Sequence, residues 1–272
     1  MVADKVVAPV QTAFIKGRFI LDGVVILHEA LHETVRKKKN VLMFKVDFEK
    51  ACDKINWEFF LEMLSMKGFP DKFIEWVRKI VSSGNIAVMV NGQIGQYFKT
   101  KKGLRQGDPL SPILFDIAVD VLQVLIKRAQ DSGLLRGVIP NLVERGLRML
   151  QYADETVFFI EANESDALNL KYLLCCFEHL SGLKINFHKS ETVCFGETKA
   201  NSEKYRDIFT CVEGKLPMKY LGIPAHNVML RNVDWKNAEE KMGKKLGTWQ
   251  GRFLSYGGKL ALIKGSLSNL FT

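Results

Sequence analysis

The chain has 272 residues, 47% of them hydrophobic, which is enough apolar material for a sizeable core and one or two domains. A net charge of +9 favours an anionic partner, and nucleic acid is the commonest such partner. Five cysteines without C-x-x-C spacing argue against a disulfide framework, and no apolar run approaches a membrane span. An intracellular protein, nuclear or cytoplasmic, with no membrane partner is therefore expected.

Val24, Leu27, Leu31 and Val35 are spaced for one helical face, in a helix that ends in the basic run Arg36-Lys37-Lys38-Lys39. An apolar strand, Val41 to Asp47, follows. Trp57, Phe60, Leu61 and Leu64 predict an amphipathic helix from Trp57 to Lys67, stopped by Gly68. A second helix from Pro70 is expected to bury Phe73, Ile74, Val77, Ile80 and Val81. Ile86–Val90, Asn91-Gly92 and Ile94–Phe98 read as a β-hairpin, because Asn-Gly supplies the positive φ angles of a type I′ turn. A polar loop from Lys99 to Asp108 leads to Pro109 and Pro112, which introduce a long apolar helix to about Gln130. Two apolar half-strands, Leu147–Leu150 and Thr156–Ile160, flank Tyr152-Ala153-Asp154-Glu155. Leu170, Leu173, Leu174 and Phe177 mark a further helix closed by Ser181-Gly182, and Thr192–Phe195 forms a strand. The order is that of an α+β domain, compatible with a split βαβ arrangement.

Asp154 and Glu155 concentrate the chemistry. Two adjacent acids at the tip of an otherwise buried hairpin lose solvation unless something positive offsets the loss. A metal ion would do so, with Asp47 at the end of another strand as a third ligand, giving the protein half of a two-metal phosphoryl-transfer site. The alternative is an acidic turn beside an unrelated aspartate. His28 and His32 lack a third ligand, and the spacing of Cys175, Cys176, His179, His188 and Cys194 matches no zinc pattern. In Gly103–Pro112 a glycine lets backbone approach a ligand closely, while Arg105 and Gln106 present planar donors. That segment is otherwise a turn capping the next helix.

Taken in order, these segments resemble the reverse transcriptases of LINE-type (non-LTR) retroelements, especially those of plants. Gln11-Thr12-Ala13-Phe14 with Gly17-Arg18, Lys45-Val46-Asp47-Phe48-Glu49-Lys50-Ala51-Cys52-Asp53, Leu104 to Pro112, and Tyr152 to Glu155 match successive blocks of that family. Ser181 to Asn186 with Lys189-Ser190, then Lys219 to Pro224, continue the series, which closes on Gly257-Gly258-Lys259 with Leu262-Ile263. The resemblance implies a right-hand polymerase palm (split βαβ, ferredoxin-like) with partial fingers and the start of a thumb. It places partial fingers at 1–40, palm at 41–55 and 103–215, fingers and palm helices with a hairpin at 56–102, and the primer-grip region and start of thumb at 216–272.

The function so implied is RNA-directed DNA polymerisation, with an RNA template, a DNA primer and deoxynucleoside triphosphates as partners. Asp47, Asp154 and Glu155 would hold two Mg²⁺ ions, with Mn²⁺ as a substitute. Phe48, Cys52, Gln106, Gly107 and Lys189 would line the nucleotide pocket, with Gln106 on the wall of the carboxylate cleft. Arg105 would face template, and Tyr220-Leu221-Gly222 the primer terminus. Asp53 is expected outside the metal shell, capping the following helix.

Two positions depart from the family. Glu155 replaces an aspartate and is one methylene longer, so shortening it is expected to favour two-metal geometry. Cys52 replaces the Tyr or Phe that packs under the incoming sugar. With a start close to the Gln11 block and an end within the thumb, these departures suggest a degenerate or truncated copy. The alternatives are then a catalytically silent nucleic-acid-binding or vestigial fragment, or a two-metal nuclease, which would not need Gln106-Gly107 or the primer-grip block.

Overall fold

The structure is a computed structural model that describes residues 3–141, 143, 145–228, 231–247 and 255–260. Leu262 and Ile263 of the last family block lie outside the described residues.

The elements run α1 (Ala3–Val6), α2 (Ile20–Arg36), β1 (Val41–Val46), α3 (Ala51–Lys54), α4 (Trp57–Met66) and α5 (Asp71–Ser82). Four two-residue strands follow, β2 (Asn85–Ile86), β3 (Met89–Val90), β4 (Gln93–Ile94) and β5 (Phe98–Lys99), and then α6 (Ser111–Asp131). The hairpin β6 (Met149–Tyr152) and β7 (Glu155–Glu161) leads to α7 (Glu164–Ser181), β8 (Glu191–Phe195), α8 (Ser202–Phe209) and β9 (Val212–Glu213). A second hairpin, β10 (Met218–Tyr220) and β11 (Ile223–Ala225), precedes α9 (Lys236–Gly247).

The main sheet has the order β6-β7-β1-β8-β9. β1 is antiparallel to both β7 and β8, so β7 lies between β1 and β6 and splits a βαβ unit whose crossover contains α3–α6. This is the α+β arrangement expected from the sequence.

β1 is apolar almost throughout because both faces of the sheet are covered. Leu42, Phe44, Val46, Phe158 and Ile160 pack on one face against α4–α7, through Phe60, Leu64, Val77, Leu114 and Leu170. Val41, Met43, Val157 and Phe159 pack on the other face against Leu27 and Leu31 of α2 and against Tyr220 and Ile223 of the β10–β11 hairpin. The two-residue alternation of a strand assigns each side chain to its face.

Two helices bury less than the sequence suggests: Val35 and Ile80 are exposed, each lying at the edge of its apolar stripe. The Asn91-Gly92 turn has both φ angles positive, 50° and 80°, as a type I′ turn requires. Its strands break into two short pairs, β2–β5 and β3–β4, and all of their residues are exposed. Among the described residues no helix is long and apolar enough to cross a membrane.

Candidate active site

The site lies where β1 ends beside the tip of the β6–β7 hairpin. Val46 pairs with Thr156 as the last pair of the β1–β7 ladder, and continuing that register by one residue sets Asp47 against Glu155. Alternation then puts Lys45, Asp47 and Glu155 on one face of the sheet, the face that carries β10–β11. Asp154 occupies the two-residue turn between Tyr152 and Glu155.

Two segments hold these acids. Residues 181–190 run alongside the stretch that follows β1. The Ser190 hydroxyl accepts from Asp47 N at 3.1 Å, Asn186 N donates to Asp47 O at 2.8 Å, and Glu49 N donates to Lys184 O at 2.8 Å. The β6–β7 turn is held by Gln11, which is 1% exposed. Its Oε1 accepts from Ala153 N at 2.9 Å and from Ala13 N at 3.1 Å, while its Nε2 donates to Ala153 O at 3.4 Å. Ala153 has φ 51°, a left-handed conformation costly for a residue with a Cβ, and the Gln11 amide helps to hold it there.

Lys45, Val46, Asp47, Phe48, Asp154, Glu155, Lys189 and Glu191 line a single cleft of about 120 Å³. Four carboxylates against two ammonium groups leave that cleft net negative, which suits a cation. Among the described residues neither the Asp47 nor the Asp154 side chain makes a hydrogen bond or an ion pair. Glu155 differs, because its Oε2 accepts from Leu221 N at 3.2 Å. Among the described residues no three His, Cys, Asp or Glu side chains form a ready-made metal cage. Two free carboxylates nevertheless fit Mg²⁺, which commonly takes one or two carboxylates and completes its shell with water and substrate phosphate.

The remaining expected residues divide between this cleft and its neighbourhood. Phe48 is buried on its floor, edge-on to Phe177. Cys52 is half-buried beside it; burial first, then the charges of Asp154 and Asp53, push its thiol pKa above the usual range. Arg105 and Gln106 line a separate cavity of about 520 Å³ with Asp53, Thr100 and Lys102, so Gln106 is not on the carboxylate wall. The reason is a bond: Gln106 Nε2 donates to Asp53 Oδ1 at 3.3 Å.

Asp53 therefore does not cap α4. Asn56 does, its Oδ1 accepting from Glu58 N and Phe59 N. Gly103 allows this loop to cross α3, since a Cβ there would lie 2.6 Å from Asp53 O. Gly107 is exposed, with φ 88°. Tyr220 is fully buried, and Leu221 and Gly222 form the β10–β11 turn.

The sequence by itself assigns Gln11 no role. Its only signal there is its place in a family block, because its partner Ala153 is 142 residues away.

Known proteins resemble this chain along most of its length. The family model described as reverse transcriptase (RNA-dependent DNA polymerase) matches residues 1–225. The transposon TX1 uncharacterized 149 kDa protein of Xenopus laevis is 26% identical over 271 residues, covering 96% of this chain and 20% of that protein. The retrovirus-related Pol polyprotein from type-2 retrotransposable element R2DM of Drosophila melanogaster is 26% identical over 188 residues, covering 68% and 17%. The chain thus spans a fifth or less of either relative. In fold it is similar to apo telomerase from Candida tropicalis, with a TM-score of 0.54 at 16% identity, covering 81% of this chain and 40% of that one.

Proposed function

Because the chain belongs to the reverse transcriptase (RNA-dependent DNA polymerase) family, with relatives among non-LTR retrotransposon proteins, we propose that the Asp47–Asp154 cleft is a polymerising centre. There a DNA primer would be extended with deoxynucleoside triphosphates on an RNA template. In this reading 41–55 and 103–215 form the palm, with partial fingers at 1–40, helices and hairpin between fingers and palm at 56–102, and the primer grip and start of a thumb at 216–272.

One observation carries the proposal. Two aspartates that are unpaired among the described residues, one directly after β1 and one in the β6–β7 turn, line one small cleft together with two lysines. Reverse transcriptases use divalent metal ions, and Asp47 and Asp154 would hold two Mg²⁺, or Mn²⁺ in their place. Ions held there would supply a lowered pKa for the primer 3′-hydroxyl and positive charge for the phosphate and the leaving pyrophosphate.

The chain's own groups do the positioning. Lys45 and Lys189 set positive charge at the cleft rim for the triphosphate. Phe48 supplies an apolar floor and Cys52 sits near Asp154, under the sugar. Gln106, tethered to Asp53, and Gly107 would border the nucleotide, and Arg105, which lines the separate cavity with Gln106, would face the template. Tyr220, Leu221 and Gly222 support the primer end.

Primer extension tests the proposal, using an RNA template annealed to a DNA primer with Mg²⁺. Templated addition by the chain, abolished in Asp154→Asn, is the expected result. Equal extension by Asp154→Asn would refute the site. Salt-sensitive duplex binding with no extension would leave a catalytically silent nucleic-acid-binding domain.

A further inference from the structure

We propose that Glu155 is a positioning residue whose carboxylate fixes the β10–β11 turn against the tip of the β6–β7 hairpin, and is not a metal ligand. The primer-facing consequence rests on the reading of the cleft given above; the contact itself does not.

The turn needs such a tie. Tyr220 pairs with Ile223, so Leu221 and Gly222 make a two-residue turn with φ 51° and 80°. Leucine is a poor occupant of the left-handed region, since its Cβ crowds the backbone there. The Leu221 N–H points across to the palm and donates to Glu155 Oε2 at 3.2 Å. A second tie lies on the same sheet face, where Lys45 Nζ donates to Lys219 O at 2.7 Å. Beneath the turn, Tyr220 is fully buried over α2, with its ring and hydroxyl beside Gly23. Burial, and after it the charge of Glu155, raises the Tyr220 phenol pKa, consistent with the carboxylate lying close to this hairpin.

Length is the point of the glutamate. At 3.2 Å the bond has little slack, and removing one methylene withdraws the oxygen by about 1.5 Å, beyond hydrogen-bond range. The residue that departs from the family's aspartate is therefore the one long enough to reach Leu221. The shorter acid that the sequence favours at this position would lose this contact.

Charge and reach can be separated by two substitutions. Glu155→Gln keeps the length and an accepting oxygen but loses the charge; Glu155→Asp keeps the charge and loses the reach. The first readout is hydrogen exchange at the Leu221 amide by NMR, without metal or nucleic acid. Glu155→Asp should accelerate it about tenfold or more, while Glu155→Gln stays within about threefold of the unaltered chain. In primer extension, Glu155→Asp should raise the KM for primer–template about tenfold with a smaller change in kcat, and Glu155→Gln should retain most of both. Unchanged Leu221 exchange in Glu155→Asp, or equal acceleration in both variants, would overturn the proposal. So would a loss of Mn²⁺ affinity in Glu155→Gln as large as that in Asp154→Asn. If Asp154→Asn itself left Mn²⁺ affinity unchanged, the polymerising-centre reading would fail while the Leu221 result still decided the role of Glu155.

Discussion

Replacing Gln11 with alanine should loosen the β6–β7 turn and move Asp154 with it. The Gln11 amide makes three hydrogen bonds, two to Ala153 and one to Ala13 N, at 2.9–3.4 Å in a buried setting. At about 1 kcal/mol net for each bond the loss is about 3 kcal/mol. Leaving the Ala153 N–H without a partner adds to it, and relaxation of the φ 51° backbone returns part. We therefore expect a destabilisation of about 3 kcal/mol, read as a lower midpoint at unchanged slope in equilibrium urea unfolding. Asp154 follows Ala153 directly, and a displacement of about 1 Å at a catalytic group costs on the order of 10²-fold in rate. Gln11→Glu, which keeps the acceptor and loses the donor, should fall between the two. A Gln11→Ala chain destabilised by less than about 1 kcal/mol, with unchanged primer extension, would refute the reasoning.

Other positions offer independent checks. Both carboxylate oxygens of Asp116 are buried without a partner among the described residues, and desolvation, opposed by Arg18 and reinforced by Asp120, raises its pKa from 3.8 to about 8. The folded chain thus keeps a proton that the unfolded chain has released, so this group makes stability fall as pH rises from about 4 to about 8. Asp116→Asn should remove that slope and stabilise the chain at pH 7, with a ceiling of about 4 kcal/mol at 1.36 kcal/mol per pH unit; urea midpoints at pH 5 and pH 7.5 that shift equally would contradict this. Gly103→Ala should destabilise by about 2–4 kcal/mol in thermal unfolding, because its Cβ would lie 2.6 Å from Asp53 O at a φ of 85°; an unchanged Tm would show that the loop can move aside. With a net charge of +9, the chain should bind RNA–DNA duplex with an affinity that falls steeply with salt, and salt-insensitive binding in a filter assay would contradict this.

Much of this architecture is legible along the chain wherever burial is periodic. The Val41–Asp47 run reads as an apolar strand, and the Trp57, Phe60, Leu61 and Leu64 spacing reads as a helix, because each pattern is set by the element's own geometry. α8 leaves little periodic signal, since only Tyr205 and Phe209 of its eight residues are buried. Convergence of Asp47 and Asp154 on one cleft follows from their places at a strand end and a hairpin tip. The contacts that tune the cleft are not legible in this way. Glu155 meets Leu221 across 66 residues, and Gln106 meets Asp53 across 53. A side chain's choice between metal, cap and distant backbone depends on tertiary placement, which neither propensity nor spacing encodes.

The central claim is that Asp47 and Asp154 together form a divalent-cation site. Titrating the metal-free chain with Mn²⁺ and following the free-ion EPR signal tests it most directly, since neither nucleic acid nor turnover is needed. Asp47→Asn and Asp154→Asn, both isosteric, should each weaken uptake about tenfold or more, and the double variant should lose the site. Uptake by the double variant equal to that of the unaltered chain would contradict the account.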